Sequence, residues 1–318
     1  MKIAVVILNW NGVDLLKKFL PSVITYSPEA SIYVIDNAST DGSISYLQQH
    51  HPGVQIISLD QNYGYAGGYN RGLQQIEADV YALVNSDLEV TQNWLQPIIL
   101  EFTKHPETAI IQPKIKDYKN KKKFEYAGAA GGYLDLFGYP YCDGRILFKV
   151  AEDTGQYNRR KEIFWASGAC LLVRKPVFDQ LQGFDESFFA HQEEIDFCWR
   201  AHHQQNKAVY VPESTVYHLG GASLSNHNPF KTYLNFRNNL LMMLKNLPKS
   251  LVAPIIFSRL LLDGLAGIVF MLQGKPKHTW AIVKAHFGFY KRIPQALKQR
   301  PKKPIKNYYQ TFSIFIKK

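Results

Sequence analysis

Cysteine is scarce in this 318-residue chain: there are three, Cys142, Cys170 and Cys198. They are odd in number, far apart and never spaced Cys-x-x-Cys, which excludes a disulfide framework and a cysteine-based zinc site. A reduced, cytosolic compartment is the simplest reading. No uninterrupted apolar stretch reaches the roughly 18 residues of a spanning helix. The glycine-rich stretch carries neither G-x-G-x-x-G nor a Gly-Lys-Ser/Thr phosphate loop, so the dinucleotide and P-loop signatures are absent. No helix-turn-helix, zinc-finger or RNP pattern occurs, which sets nucleic acid aside as a partner. Acid is nearly missing late in the chain: from Lys245 to Lys318 the single carboxylate is Asp263. The apolar start, Met1 to Leu8, is short and runs into Asn9-Trp10-Asn11-Gly12 without a small-x-small cleavage site, so it reads as a strand rather than a leader.

What is present suits a globular protein with a sizeable core, in one large domain or two smaller ones: 46% of residues are hydrophobic and 20% charged. The formal net charge of +11 attracts anionic membranes or phosphorylated substrates. Strand candidates at Ile3–Leu8, Ile32–Ile35, Val54–Leu59 and Val80–Val84 alternate with helical spacing at Val13–Tyr26, Ser43–Gln49 and Tyr69–Glu77. This alternation predicts βαβ units and a mainly parallel sheet. A helix over 91–105 and a strand at Ala109–Gln112 follow. Residues 114 to 161, rich in Gly, Tyr, Lys and Asp, read as irregular hairpins covering a site, with Lys119–Lys123 a solvated basic tip. Beyond them come a buried strand from Phe164 to Arg174, a short helix starting at Lys175-Pro176, and an acidic helix start at Gln192-Glu193-Glu194-Ile195-Asp196. Lys207–Val211 and Ser214–His218 read as two short strands, followed by a glycine-containing turn at Leu219–Ser223.

In a parallel sheet, ligands bind beyond the carboxyl ends of the strands. Asp36, the loop Asn62-Tyr63-Gly64-Tyr65-Ala66-Gly67-Gly68, and Asn85-Ser86-Asp87 all fall on that edge. A carboxylate beside Asn and Ser at a strand end can hold Mg²⁺ or Mn²⁺, with phosphate and water completing the shell. The plainer alternative is that Asn-Ser-Asp caps a helix starting near Gln92. Arg71 can pair with phosphate or sit on the surface. The acids at 193, 194 and 196 suit a helix dipole; adjacent carboxylates by a cleft also raise one pKa and make a usable base. His218, at a strand end, is a possible metal ligand or an ordinary polar contact.

The tail from 228 to 318 changes character. Phe230–Leu247 and Leu251–Leu272 are apolar and helix-like, the second with Arg259 and Asp263 mid-run. Two readings stand: an interfacial helix flanked by cations, or a helical subdomain packed on the core.

Taken together and in order, these motifs resemble the inverting family 2 glycosyltransferases of the GT-A fold, and among them the bacterial rhamnosyltransferases of cell-surface polysaccharide synthesis. The resemblance spans roughly residues 1 to 245. It rests on Val5-Val6-Ile7-Leu8-Asn9-Trp10-Asn11-Gly12, Asp36-Asn37-Ala38-Ser39-Thr40-Asp41-Gly42, Asn62 to Asn70, Asn85-Ser86-Asp87, Gly183-Phe184-Asp185-Glu186, Glu193-Glu194-Ile195-Asp196 and His218. It implies an α/β, Rossmann-like GT-A domain over 1–227, with a mainly parallel sheet flanked by helices. A basic, helical, membrane-surface region follows over 228–318.

By that resemblance Asp36, with Asn9 and Asn11, contacts the nucleotide. Asn62, Gly67 and Asn70 line the sugar-nucleotide pocket, and Asn85 and Ser86 border it. Asp87 binds a divalent metal with His218, Asp185 lies in the acceptor-side loop, and Glu194 or Glu193 is the base. Two positions depart from the family pattern: Asn85 stands where the first acid of a DxD-type motif is expected, and Glu194 stands where Asp is commoner. The implied donor is a nucleotide-diphosphate sugar. The basic tail, with its lone Asp263 and apolar helices, fits an acceptor saccharide carried on a polyprenyl diphosphate, at the cytoplasmic, inner face of the cell membrane. Two rivals remain: a nucleotidyltransferase, which wants a basic N-terminal phosphate loop that Leu8–Gly12 lacks, and a non-catalytic sugar-nucleotide-binding relative.

Overall fold

The structure, a computed structural model, describes residues 1–147, 149–220 and 228–316. The N-terminal half is a run of β-α units: β1 (Ile3–Asn9), α1 (Val13–Tyr26), β2 (Ala30–Asp36), α2 (Ser43–His50), β3 (Gln55–Ser58), α3 (Gly64–Leu73) and β4 (Val80–Asn85). β1 pairs in parallel with β2 and β4, and β2 with β3. β1 and β4 are buried almost throughout, as strands covered on both faces must be. Helix α1 turns Leu16, Phe19, Leu20 and Val23 onto the sheet, the i, i+3, i+4, i+7 stripe that the sequence shows.

β4 turns through Ser86 and Asp87 into the short β5 (Leu88–Val90), and α4 starts only at Leu95 and ends at Lys104. A strand therefore stands between Asp87 and the next helix, which removes the helix-capping alternative. β6 (Thr108–Asp117) and β12 (Cys170–Arg174) complete the centre of the sheet, with β12 antiparallel to both β4 and β6. The strands expected at 207–211 and 214–218 are one, β13 (Lys207–His218), parallel to β6 with a register shift between Val211 and Thr215. β5 and β11 (Lys161–Ile163) pair antiparallel with β13. Among the described residues this makes a nine-stranded mixed sheet, parallel through β3-β2-β1-β4 and again at β6-β13. The region 114–161 holds a small second sheet of β7 (Gly132–Leu134), β8 (Pro140–Cys142), β9 (Arg145–Ile146) and β10 (Lys149–Val150).

α5 (Lys175–Gln180) and α6 (Glu193–His203) lie between β12 and β13. The tail is helical: α7 (Pro229–Asn246), α8 (Lys249–Leu272) and α9 (Pro276–Lys298). The sequence reading anticipated the first two; Lys and His scattered through the third hid its periodicity. The tail does not stand apart. Leu240 to Leu244 of α7, with Tyr308 and Ile314, belong to the same buried cluster as Leu83, Leu171 and Trp199. The end of the chain also returns to the small sheet, where Tyr308 Oη donates to Leu136 O and the Ile314 N–H to Asp135. The turn expected at Leu219–Ser223 falls partly on residues 221–227, outside the described residues.

Where α3 crosses β2, a side chain at Gly72 would run into Ile35 Cδ1 and Cγ1. In an exposed helix Gly→Ala would gain up to about 1 kcal/mol. Here overpacking costs about 1–3 kcal/mol and wins. Gly72→Ala should lower the midpoint of chemical denaturation, and combined with Ile35→Ala its loss should be smaller than in the parent, so that the two single losses add to more than the double variant shows.

Candidate active site

Three groups of polar residues meet at the carboxyl edge of the sheet. The first joins the ends of β1 and β2. Asn9 Nδ2 donates to Asp36 Oδ1 (3.1 Å) and to Ser39 Oγ (3.2 Å), and the Ser39 N–H closes on Asp36 Oδ2 at 2.9 Å. Asn11 Oδ1 accepts the Thr40 N–H at 2.7 Å. Asp36 is 1% exposed, and Asn9 Oδ1 is buried without a partner. Asn62 turns inward: its Oδ1 accepts from Asn37 Nδ2 (3.0 Å) and the Gly64 N–H (2.8 Å). Gly67 lies under Tyr63 and Arg71, where a Cβ would crowd both. Asn70 spends its amide on backbone, giving to Phe184 O (2.8 Å) and taking the Phe184 N–H (2.9 Å). Arg71 pairs with Glu186 (2.8 Å) and stacks on Tyr63. The glycine-loop residues thus fix the loop to its neighbours.

The second group is made by strand pairing. β5 pairs with β13 so that Leu88 faces His218, which brings Asp87 beside a histidine 131 residues away: Nε2 lies 3.1 Å from Asp87 Oδ1. Asn85 Nδ2 is 3.4 Å from the same nitrogen. Behind the ring, Nδ1 lies 3.5 Å from Glu125 Oε1. Glu125 is 6% exposed, and the sequence reading missed it because it sits in the irregular region with no periodic signal. Burial alone would lower the His218 pKa; hydrogen bonds to Asp87 and Glu125 override this and push it up to about 10. Burial would raise the Asp87 carboxyl, yet the hydrogen bond and charge of His218 bring it below its ordinary value. Ser86 is half-exposed at the turn.

Among the described residues no group of three or more His, Cys, Asp or Glu is arranged around a metal. The Asp87–His218 pair fits a cation of a different kind, one whose remaining ligands are substrate phosphates and water. In the structure the two side chains are hydrogen-bonded to each other, Nε2 to Oδ1 at 3.1 Å, so a cation held by both would replace the proton between them.

The third group is the start of α6. Glu193 is 4% exposed, Glu194 is half-buried, and the Oε2 of each is buried with no hydrogen-bond partner. Burial, and then the charge of Glu194, drives the Glu193 carboxyl far above its ordinary value. Burial pushes Glu194 up to about 7. The turn before them is unusual: Phe189, His191 and Gln192 all have positive φ (65°, 68° and 74°), a costly arrangement for residues with side chains. Its carbonyls are held by α7. Arg237 Nη2 donates to Ser187 O (2.9 Å) and Phe188 O (3.0 Å), while Asn238 Nδ2 lies 2.8–2.9 Å from Phe188 O, Ala190 O and His191 O. The Tyr65 N–H takes Phe189 O at 2.8 Å.

Asp185 is engaged on both oxygens: Oδ1 caps the Ser187 N–H (2.9 Å) and Oδ2 meets Lys245 Nζ (2.5 Å). Lys245, 2% exposed, also meets Asp196, which Arg200 and Asn246 hold from the other side. Arg237, Asn238 and Lys245 were not anticipated; their only trace in the sequence is polar residues inside an otherwise apolar helix.

Two links join the second and third groups. Tyr65 Oη donates to Gly168 O (2.8 Å), next to Ala169, whose carbonyl takes the Asn85 N–H (3.0 Å). Lys231 of α7 feels the charge of Glu125 on one side, and on the other its own charge adds to burial in lowering the His191 pKa to about 4.

A model of glycosyl transferase family 2 matches residues 4–182. The chain belongs to that family. It is a glycosyltransferase with a GT-A-type mixed sheet, which sets the nucleotidyltransferase rival aside. Among curated relatives, it is 26% identical over 220 residues to the N-acetylglucosaminyl-diphospho-decaprenol L-rhamnosyltransferase of Mycobacterium tuberculosis, covering 64% of this chain and 71% of that one. It is also 26% identical over 248 residues to the low-salt glycan biosynthesis hexosyltransferase of Haloferax volcanii, covering 75% of this chain and 74% of the relative. Of solved structures, GalNAc-T7 with UDP, GalNAc and Mn²⁺ superposes with a TM-score of 0.62 at 16% identity, over 78% of this chain and 48% of that one.

Lys245→Met keeps the length of the side chain but leaves Asp185 without its cation and Asp196 with Arg200 alone. Removing one partner from a buried ion network costs about 3–5 kcal/mol. Denaturant unfolding of the variant should show a loss of that size; a change within about 0.5 kcal/mol would show that the network is not what holds α6 to α7.

Proposed function

We propose that this chain is an inverting, rhamnosyltransferase-like hexosyltransferase that moves a sugar from a nucleoside diphosphate to a hydroxyl of a lipid-linked saccharide. The observation that carries the reading is the pairing, on one sheet edge, of Asp87–His218 with two differently held carboxyls, Glu193 and Glu194. The acceptor class rests on the Mycobacterium tuberculosis relative, named for a decaprenyl-diphosphate acceptor. The same proposal includes a role in cell-surface polysaccharide synthesis at the cytoplasmic, inner face of the membrane, which a lipid-linked acceptor and the basic, apolar tail support.

In this reading the cluster of Asn9, Asn11 and Asp36 receives the nucleoside, with the buried, unpartnered Asn9 Oδ1 a ready acceptor for a ligand donor. Asp87 and His218 would hold Mg²⁺ or Mn²⁺, which when bound would neutralise charge growing on the leaving diphosphate. Burial, and then the charge of Glu194, holds the Glu193 carboxyl far above its ordinary value. Glu194, less buried and raised only to about 7, exchanges its proton in the working range and is the base. It takes the proton of the acceptor hydroxyl, whose oxygen attacks the anomeric carbon opposite the leaving diphosphate. Asp185, tied to Lys245 and a backbone N–H, positions the acceptor-side loop.

A base must be deprotonated to act, so kcat/KM should rise with pH through about 7 and level off above it. Glu194→Gln should lower kcat by about 10²–10⁴-fold and remove the rising limb, with nucleotide binding retained. A wild-type rate in a folded Glu194→Gln variant would sink the assignment.

The deciding assay is release of nucleoside diphosphate from a panel of sugar nucleotides with Mg²⁺ or Mn²⁺ and polyprenyl-linked acceptors, beside Asp87→Ala. Metal-dependent release that the variant lacks is expected. Release unaffected by chelation or by Asp87→Ala would overturn the metal role.

A further inference from the structure

Helix α8 is built inside out. Its buried positions are Ile255, Arg259, Asp263 and Gly267, four residues apart on one stripe. Its two charges therefore face the protein. Arg259 Nη1 donates to Phe137 O at 2.9 Å and to Asn239 Oδ1, and its guanidinium lies over Tyr139. Asp263 meets Arg259 at 3.6 Å and His286 Nε2 at 3.2 Å. The outward side carries Phe257, Leu261, Leu265, Ile268 and Leu272, each 57–83% exposed. In water this is the costly orientation. In an apolar medium it is the stable one, because charged side chains pair toward the protein and leucine faces the solvent.

Helix α9 adds a second signal. Lys277, Trp280, Lys284, Phe287, Lys291 and Lys298 are all exposed and recur at intervals of three, four and seven, one stripe of the helix. Alternating lysine with tryptophan and phenylalanine suits the headgroup layer, where rings sit at the boundary and ammonium groups meet lipid phosphates. This stripe takes no part in holding the hairpin together. α9 is fastened to α8 by Thr279 on Gly267 O (2.8 Å) and His286 on Asp263, and to α7 by His278 on Thr232 (2.8 Å).

By length and composition α8 is able to cross a membrane. Its packing argues otherwise. A spanning α8 would draw the antiparallel α9, with Lys284 and Lys291, into hydrocarbon, or tear α9 from α7 and α8.

We propose that the α8–α9 hairpin is a monotopic docking surface for an anionic lipid leaflet: α8 lies in the plane of the leaflet with its Leu261–Leu265 side in the acyl boundary, and the Lys-Trp-Lys-Phe-Lys stripe of α9 engages the phosphates. This deepens the membrane-side reading above by naming the face, the lipid charge and the orientation.

The test is flotation of the full chain with phosphatidylcholine vesicles and with vesicles also containing phosphatidylglycerol. Binding should be stronger to the anionic vesicles and should weaken as salt rises. Leu261→Glu with Leu265→Glu should lower binding at least about tenfold. Lys284→Glu with Lys291→Glu should lower binding to anionic vesicles and leave the phosphatidylcholine signal unchanged. All four positions are exposed, so the melting curves should match the parent.

Orientation is read with Gln273→Cys, in the turn between α8 and α9, since the three native cysteines are buried. An impermeant maleimide added outside sealed vesicles should label it. Protection from the reagent would mean a spanning helix, and a leucine-dependent dimer that ignores vesicles would mean an interface between copies; either overturns the proposal. Vesicle binding without sugar transfer refutes the transferase reading alone, and transfer to a soluble saccharide without vesicle binding refutes the docking surface alone.

Discussion

The turn from Ser187 to Gln192 cannot satisfy its own backbone. Three of its residues sit at positive φ; Gln192 O starts the α6 ladder and Phe188 O takes the Ala190 N–H, but the carbonyls of Ser187, Phe189, Ala190 and His191 take donors from outside the turn. A buried carbonyl without a donor costs free energy comparable to a lost hydrogen bond. The donors come from α7, through Arg237 and Asn238, and from the Tyr65 N–H at the start of α3. The carboxyl pair at the start of α6 therefore has its place set from outside α6. That is why the helical tail cannot be a detachable appendage: its first helix is the inner wall of the site, and Lys245 on the same helix holds the two acids on either side of the pair.

The same economy sets the charges. His218 lies between Asp87 and Glu125, and its hydrogen bond and charge bring the Asp87 carboxyl below its ordinary value against the effect of burial; a cation held by Nε2 would first have to displace the ring proton. At the start of α6 Glu193 meets no cation among the described residues, and burial drives its carboxyl far above its ordinary value. Glu194, with part of its surface open, falls between these extremes. Asp87, Glu193 and Glu194 are thus shifted in different directions or to different degrees, each for a reason that stands within a few ångströms. Divergent neighbours of this kind are how a site obtains both a metal-binding carboxylate and a base at one pH.

Much of this was legible because strand ends are legible. An apolar run that stops at Asn85-Ser86-Asp87 announces a sheet edge, and three such ends at regular intervals announce a site. The pairing of Asp87 with His218 was legible only through the family pattern, since β5 is three residues long and gives no periodic signal. Glu125 was hidden for a different reason. It lies in a stretch of short strands and turns, where burial is decided by tertiary contacts rather than by any spacing. The polar side chains of α7 look in the sequence like faults in an apolar helix. Their meaning depends on a turn some 50 residues earlier, whose strain cannot be read from Phe189, His191 and Gln192 themselves.

Helix α8 shows how composition and geometry answer different questions. Its composition admits a bilayer span, a buried helix or an interfacial one. What separates them is which side Arg259 and Asp263 face, and that is fixed by partners on three other elements. Arg259 bonds to Asn239, and Asn239 Nδ2 in turn reaches Gly138 O (2.9 Å) and Gln192 Oε1 (3.5 Å). Gln192 is the residue before the carboxyl pair. Helix α8 is therefore two side chains away from Glu193, through one buried hydrogen bond and one longer, part-buried contact. A packed path of this kind transmits position, because densely packed side chains move little without a neighbour moving too. Any surface that seats on α8 thereby fixes its own distance to the start of α6, as an enzyme acting on an acceptor held at a boundary requires.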